Sequence, residues 1–324
     1  MRVGSYKKVV GSNTLRLALF TDDDRVLDVQ AATSSPSLQA CFARSDLDLF
    51  EGAPFSHGWL TRRGLAFLRQ LLDRCTADPA FASLFYPCAA VWLGPPVPRP
   101  GKFIAAGRNY ADHLREGQRI WKERGKEVRK AAFPTAFAKF SSAIIGDDEH
   151  IVLPPGVGNV DYEIELVVVI GEPALCIAPE QALQHAAGYT ICNDVASRTI
   201  QLAEMEHQIG IVLAKNFPTF APLGPWLVTA DEIPDPQRLD IEMFVNGEVR
   251  QRANTAEMIF PVAELISYWS QLGLQTGDMI TTGTPAGVAL ARPDPAAFYL
   301  KDGDRVEARI ERVGTLRNSV KAAR

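Results

Sequence analysis

The sequence predicts an α+β protein: a mixed, strand-rich domain with isolated helices, preceded by a small α+β N-terminal domain. Three observations carry this. Continuous apolar runs bounded by turn residues, such as "IELVVVIG", read as buried strands. Helical patterns are too few and too irregular for a barrel of eight strand–helix units, and no internal repeat is visible. Four prolines crowd "WLGPPVPRPGKFIAAG", which marks a linker or domain edge near residues 93–101. The expected division is residues 1–98 and 99–324.

The elements follow in order. "NTLRLALFTDDDRVLDVQ" predicts two short strands around an acidic turn at Asp22 to Asp24. "WLTRRGLAFLRQLLDRC" predicts a helix, because Leu65, Leu68 and Leu72 recur at helical spacing. "APEQALQHAAG" reads as a helix with Pro179 near its start and Gly188 just past its end. "FVNGEVRQ" is a hairpin turning on Asn246-Gly247. "FPVAELISYWSQLG" is a helix with Val262, Leu265, Ile266 and Trp269 on its apolar face and Gly273 after it. "DMITTGTPAGVAL" and "DRVEARIERVG" read as strands between tight glycine turns.

Composition narrows the function class. The chain has 324 residues and 47% apolar content, enough for a sizeable core. Lys plus Arg is 34 and Asp plus Glu 38, a net charge of -4, so no polyanion-binding surface is expected and nucleic acid is not an expected partner. The five cysteines are scattered without C-x-x-C spacing, which argues against a disulfide framework or a thiolate zinc site. No apolar run approaches a membrane span and no cleavable leader is evident, so a soluble, cytoplasmic protein is expected.

The most informative segment is "NVDYEIELVVVIG". Alternation along a strand puts Asp161, Glu163 and Glu165 on one face and Tyr162, Ile164 and Leu166 on the other. Carboxylates entering a buried strand repel one another, and a cation relieves both the repulsion and the desolvation cost. Oxygen-only ligands suit Mg²⁺, Mn²⁺ or Ca²⁺ better than zinc. The bland alternative is a half-exposed edge strand with a solvated acidic face. Asp194, at the end of "GYTICND", is placed to add a third carboxylate, or to serve as a local turn residue beside Asn193.

A second chemical signal lies in "KFIAAGRNYADHLREGQ". His113 and Glu116 are three residues apart, so they share a helical face. They can form a general base with its orienting partner, or a surface ion pair. Seven basic and three acidic residues follow between Arg115 and Lys130. That run is either a solvated face or, with Trp121, a cover over an anionic or aromatic substrate.

With "GRNYADH", "DYEIELVVVIG", "GYTICNDVASR", "FAPLGPW", "VNGEVRQ", "TTGTPAG" and "YLKDGD" in this order, the chain resembles the fumarylacetoacetate hydrolase family from about Gly101 to Val320. Its first domain resembles the small leading domain of the longer members. The resemblance implies a mixed β-sandwich roll as the catalytic domain, a homodimer, and a site for Mg²⁺ or Mn²⁺, with Ca²⁺ as a substitute. The family's metal carboxylates match Glu163, Glu165 and Asp194. Its catalytic groups match His113 and Glu116 on a mobile lid, and Lys215 in "LAKNF". Its substrate-binding residues match Arg108, Tyr110, Lys139, Arg198, Gln201 and Thr284. The chain departs from the family at Thr199 and Pro218, where relatives often carry Asp. The activity implied first is metal-dependent hydrolysis of a carbon–carbon bond in an acylpyruvate-like 1,3-diketone acid, giving a 2-oxo acid and a carboxylic acid. The alternative is isomerisation or decarboxylation of an unsaturated 2-oxo diacid, or of oxaloacetate, in aromatic-compound breakdown.

Overall fold

The computed structural model describes residues 1–8, 14–127, 129–207 and 210–323. Two large β-sheets, neither closed into a barrel, dominate it. The larger begins with the strands Phe85–Pro87, Arg25–Asp28, Arg16–Phe20 and Arg2–Lys7. It continues through Ala221–Thr229, Ala186–Asn193, Ile164–Ile170, Met279–Thr281, Phe103–Gly107 and Thr135–Ala138. Arg2–Lys7 pairs with Ala221–Thr229, so the sheet runs unbroken from the N-terminal segment into the rest of the chain. A five-stranded sheet, in the order Glu248–Asn254, Asp240–Val245, Arg305–Ile310, Gly314–Ala322 and His150–Leu153, packs over it.

The strand Ile164–Ile170 is buried on both faces, as its unbroken apolar run requires. Ile164, Leu166, Val168 and Ile170 join a core with Ile241, Met243 and Val306 of the smaller sheet. Val167 and Val169 point the other way, into a second core with Leu19, Trp59, Leu68 and Leu71. Leu68 and Leu71 come from the expected helix, which spans Arg62–Ala77 and is capped by the Thr61 side chain accepting the Gly64 N–H. The acidic-turn strands pair as expected (Arg16–Phe20 with Arg25–Asp28). Asn246 and Gly247 both take positive φ, the geometry of a tight two-residue hairpin.

One expected helix is largely absent. Helix survives only over Pro179–Ala182, with a 3₁₀ turn at Leu183–His185, and Gly188 lies inside the strand Ala186–Asn193. The reason is tertiary. A Cβ at Gly188 would come within 2.1 Å of the Val228 carbonyl oxygen, so this glycine serves a close strand approach rather than a helix end. Among the described residues no helix is long and apolar enough to cross a membrane.

Candidate active site

The acidic stretch does not stay one strand. Val160–Asp161 pairs with Ala196–Ser197, and the strand Ile164–Ile170 begins only after a break at residues 162–163. The break separates the three carboxylates. Glu163 and Glu165 converge with Asp194, their ligand oxygens within 4.8 Å of one another, and all three are buried. Asp161 lies outside this cluster. It accepts the N–H groups of Ala289 at 2.8 Å and Leu290 at 3.0 Å, and the Arg198 Nε–H at 2.8 Å.

The cluster is densely charged. Lys215 Nζ donates to a Glu163 oxygen, to Asp194 Oδ2 at 2.8 Å and to the Asp194 carbonyl at 2.8 Å. Lys139 Nζ donates to Asp194 Oδ1 at 2.6 Å and to the carbonyls of Lys215 and Phe220 at 2.6 and 3.0 Å. Arg198 reaches Glu163 with one amine and the Gln201 Oε1 with the other. Burial pushes the Glu163 carboxyl up, but Arg198, Lys215 and His113 outweigh it and hold the group well below the usual carboxylate range. Glu165 goes the other way. Burial and the charges of Asp194 and Glu163 push it well above that range. No salt bridge to Glu165 occurs among the described residues; its Oε2 accepts the Gly283 N–H at 3.0 Å.

This arrangement fits a divalent ion. Among the described residues, Asp161, Glu163, Glu165 and Asp194 are met by the three cations Lys139, Arg198 and Lys215, so the buried carboxylates outnumber the cations by one. The donors are all oxygens, which suits Mg²⁺ or Mn²⁺.

Above the cluster runs the helix Ala111–Glu123. His113 Nδ1 lies 3.3 Å from Glu116 Oε2, and Glu116 Oε1 accepts the Gly287 N–H at 2.9 Å. Gly287 has φ +107°, and a Cβ there would meet the Arg250 carbonyl at 2.3 Å, so the turn that presents its N–H needs glycine. The His–Glu pair is therefore a supported pair facing a cavity rather than a solvated surface pair.

That cavity, of about 310 Å³, gathers most of the expected site residues. Arg108, His113, Glu116, Glu163, Glu165, Asp194, Arg198, Gln201, Lys215 and Thr284 all line it. Tyr110 and Lys139 do not. Tyr110 is buried to the side, bridged to Met258. Lys139 sits behind Asp194 with all three ammonium protons engaged. The Thr284 hydroxyl donates to the Ile164 carbonyl at 2.9 Å and accepts from Gln251 Nε2 at 2.8 Å.

Sequence reasoning missed three supporting residues. Asp161 reads in the sequence only as a carboxylate on the strand face of Glu163 and Glu165, with no sign of its Arg198, Ala289 and Leu290 partners. Gln251 fixes both Thr284 and the Ile164 N–H, yet in sequence it was only the end of a hairpin motif. Asn109 is buried and ties the Phe260 backbone to the Thr282 carbonyl. Neither amide carries a spacing signal, because its partners are more than 30 residues away.

The C-terminal domain pattern of fumarylacetoacetate (FAA) hydrolase matches residues 102–321. A mitochondrial oxaloacetate tautomerase of Bos taurus is 44% identical over 226 residues, 69% of this chain and 68% of that protein. The crystal structure of maleylpyruvate hydrolase from Sphingobium sp. SYK-6, in complex with manganese(II) and pyruvate, superposes with a TM-score of 0.71 at 29% identity over the whole of both chains. That of 5-carboxymethyl-2-hydroxymuconate delta-isomerase from Mycobacterium smegmatis does so with a TM-score of 0.68 at 28% identity, again over both chains.

Proposed function

The chain belongs to the fumarylacetoacetate hydrolase family, a group of metal-associated isomerases and hydrolases of small organic acids, and from that premise we propose that it isomerises a 2-oxo acid between keto and enol forms. This reading falls on the side of the alternative expected from sequence, isomerisation or decarboxylation of an unsaturated 2-oxo diacid or of oxaloacetate, and takes its isomerase branch. Carbon–carbon hydrolysis, the activity implied first, has less support, because the 44%-identical relative is a tautomerase. It stays as a second reading on the likeness to maleylpyruvate hydrolase.

The observation that carries the proposal is the His113–Glu116 pair, fixed at Gly287 and lining the same cavity as the acidic cluster. A divalent ion held by Glu163, Glu165 and Asp194 would supply Lewis acidity toward the 2-oxo group. The chain's own groups do the rest. Glu116 accepts a proton-bearing Nδ1 of His113, which leaves Nε2 free as the base that removes a proton from the carbon beside the keto group. Lys215 and Arg198 place positive charge beside the oxygen that gains charge in this step. Burial alone would lower the Lys215 ammonium, but Asp194 and Glu163 raise it above its ordinary value, so it stays a cation. Returning the proton from His113 to oxygen or carbon completes the exchange without a water molecule. In the hydrolytic reading the same histidine takes its proton from water instead.

The test is a loss of enol absorbance from oxaloacetate, followed with Mg²⁺ or Mn²⁺, beside a panel of acylpyruvates assayed for cleavage. Rapid enol decay without cleavage supports isomerisation. Cleavage of acylpyruvates with no acceleration of enol decay replaces it by hydrolysis. We also propose a homodimer, which light scattering checks against the chain mass of 35.5 kDa.

A further inference from the structure

Two helices border the cavity, and both change character along their length. On Ala111–Glu123 the cavity-facing residues are His113, Glu116, Gly117, Ile120 and Trp121. On Arg198–Glu206 they are Arg198, Gln201, Leu202 and Met205. Each set follows the i, i+3, i+4, i+7 spacing of one helical face. Each is polar in its first turn and apolar in its last. The polar turns lie at the acidic cluster, since Arg198 bonds Glu163 and His113 and Glu116 line the same cavity as Glu163, Glu165 and Asp194. Seven residues of helix separate His113 from Ile120 and Arg198 from Met205, a span of about 10 Å. The two C-terminal ends converge. Lys126, whose N–H bonds the Trp121 carbonyl at 2.9 Å and whose ammonium sits over the Trp121 ring, also reaches Glu206 at 4.0 Å.

Resting on the 2-oxo acid reading above, we propose that the substrate carries an uncharged alkyl or aryl substituent, which lies in an apolar lobe between Trp121, Ile120, Leu202 and Met205. Four-carbon diacids leave that lobe empty. Among the described residues, the cationic side chains lining the cavity are Arg108, Arg198 and Lys215; Arg198 and Lys215 bond the acidic cluster, and Arg108 precedes the helix Ala111–Glu123. A second carboxylate in the lobe would be stripped of water without a lining cation to meet it. Lys126 is at the outer rim, half exposed and already beside Glu206. Ile120, Leu202 and Met205 remain partly exposed because they face the cavity, so an apolar chain would remove their surface from water.

The probe is a series of N-alkyl oxamates, unreactive mimics of a 2-oxo acid, titrated calorimetrically into the Mn²⁺-loaded protein. Affinity should rise about fourfold per methylene from methyl to butyl. The ω-carboxylate counterpart of the butyl compound should bind at least about tenfold more weakly than butyl oxamate, the scale of an unpaired buried charge. Met205→Gln should erase most of the gain for butyl oxamate and leave methyl oxamate unchanged, which also shows that the variant is folded. A flat series, or tighter binding of the ω-carboxylate, overturns the apolar lobe while leaving the 2-oxo acid reading intact. Absence of binding by every oxamate, methyl included, overturns that reading and the inference with it.

Discussion

His113 and Glu116 are joined at 3.3 Å, and the second oxygen of Glu116 is held by the Gly287 N–H at 2.9 Å. The pair therefore joins two parts of the chain, the helix Ala111–Glu123 and the glycine-rich turn at Gly287. A surface ion pair of this spacing would contribute little. Held at both ends, Glu116 fixes the imidazole in one orientation.

His113→Ala should lower kcat by about 10²–10⁴-fold, the usual scale for a lost acid–base group. Glu116→Gln keeps the Gly287 N–H on its amide oxygen but turns an NH2 group toward Nδ1, which favours the proton on Nε2, so it should also lower kcat. Neither change should alter Mn²⁺ affinity measured by calorimetry. Turnover by His113→Ala close to the parent rate would remove the pair from the mechanism.

Mg²⁺ or Mn²⁺ should raise the melting temperature of chelator-treated protein. At a metal concentration one hundred times Kd the gain is about 2.7 kcal/mol. Glu165→Gln should abolish most of this shift, because it removes the one cluster carboxylate that no side-chain cation balances. A full shift in the variant would exclude Glu165 as a ligand.

Lys139 holds Asp194 Oδ1 and two carbonyls from a fully buried position. Lys139→Met removes the cation and leaves those acceptors unpaired, so urea unfolding should show a loss of about 3–5 kcal/mol. An unchanged midpoint would mean that the cluster rearranges around the loss.

Asp147 offers a pH test away from the cavity. Burial pushes its carboxyl from 3.8 to about 6, with the Arg317 N–H bond at 2.7 Å opposing. A folded value above the unfolded one means that the contribution is fully present below pH 3.8 and is lost as pH rises to about 6. Asp147→Asn keeps an oxygen for the Arg317 N–H and removes the charge. It should stabilise the protein by about 1–3 kcal/mol above pH 6 and by little near pH 4. Equal effects at both pH values would contradict this.

The sequence by itself determined the strand Ile164–Ile170, the hairpin at Asn246-Gly247 and the helices Arg62–Ala77 and Val262–Trp269. Their signals are local: apolar period, turn residues and caps within a dozen positions. It also placed Glu163, Glu165, Asp194 and the His113–Glu116 pair as candidates, through residue type, spacing and family resemblance. Only the tertiary structure decided which carboxylates meet. Asp161 has the same alternation as Glu163, yet the break at 162–163 sends it to Arg198 and to the Ala289 and Leu290 amides. Gly188 likewise reads as a helix end until Val228 is packed against it. Lys139 and Lys215 are both lysines followed closely by phenylalanine, and nothing near either shows that one lines the cavity while the other stands behind Asp194. Such partners lie tens of residues apart. Their choice depends on which groups must be neutralised once buried, and that is fixed only when the sheets are assembled.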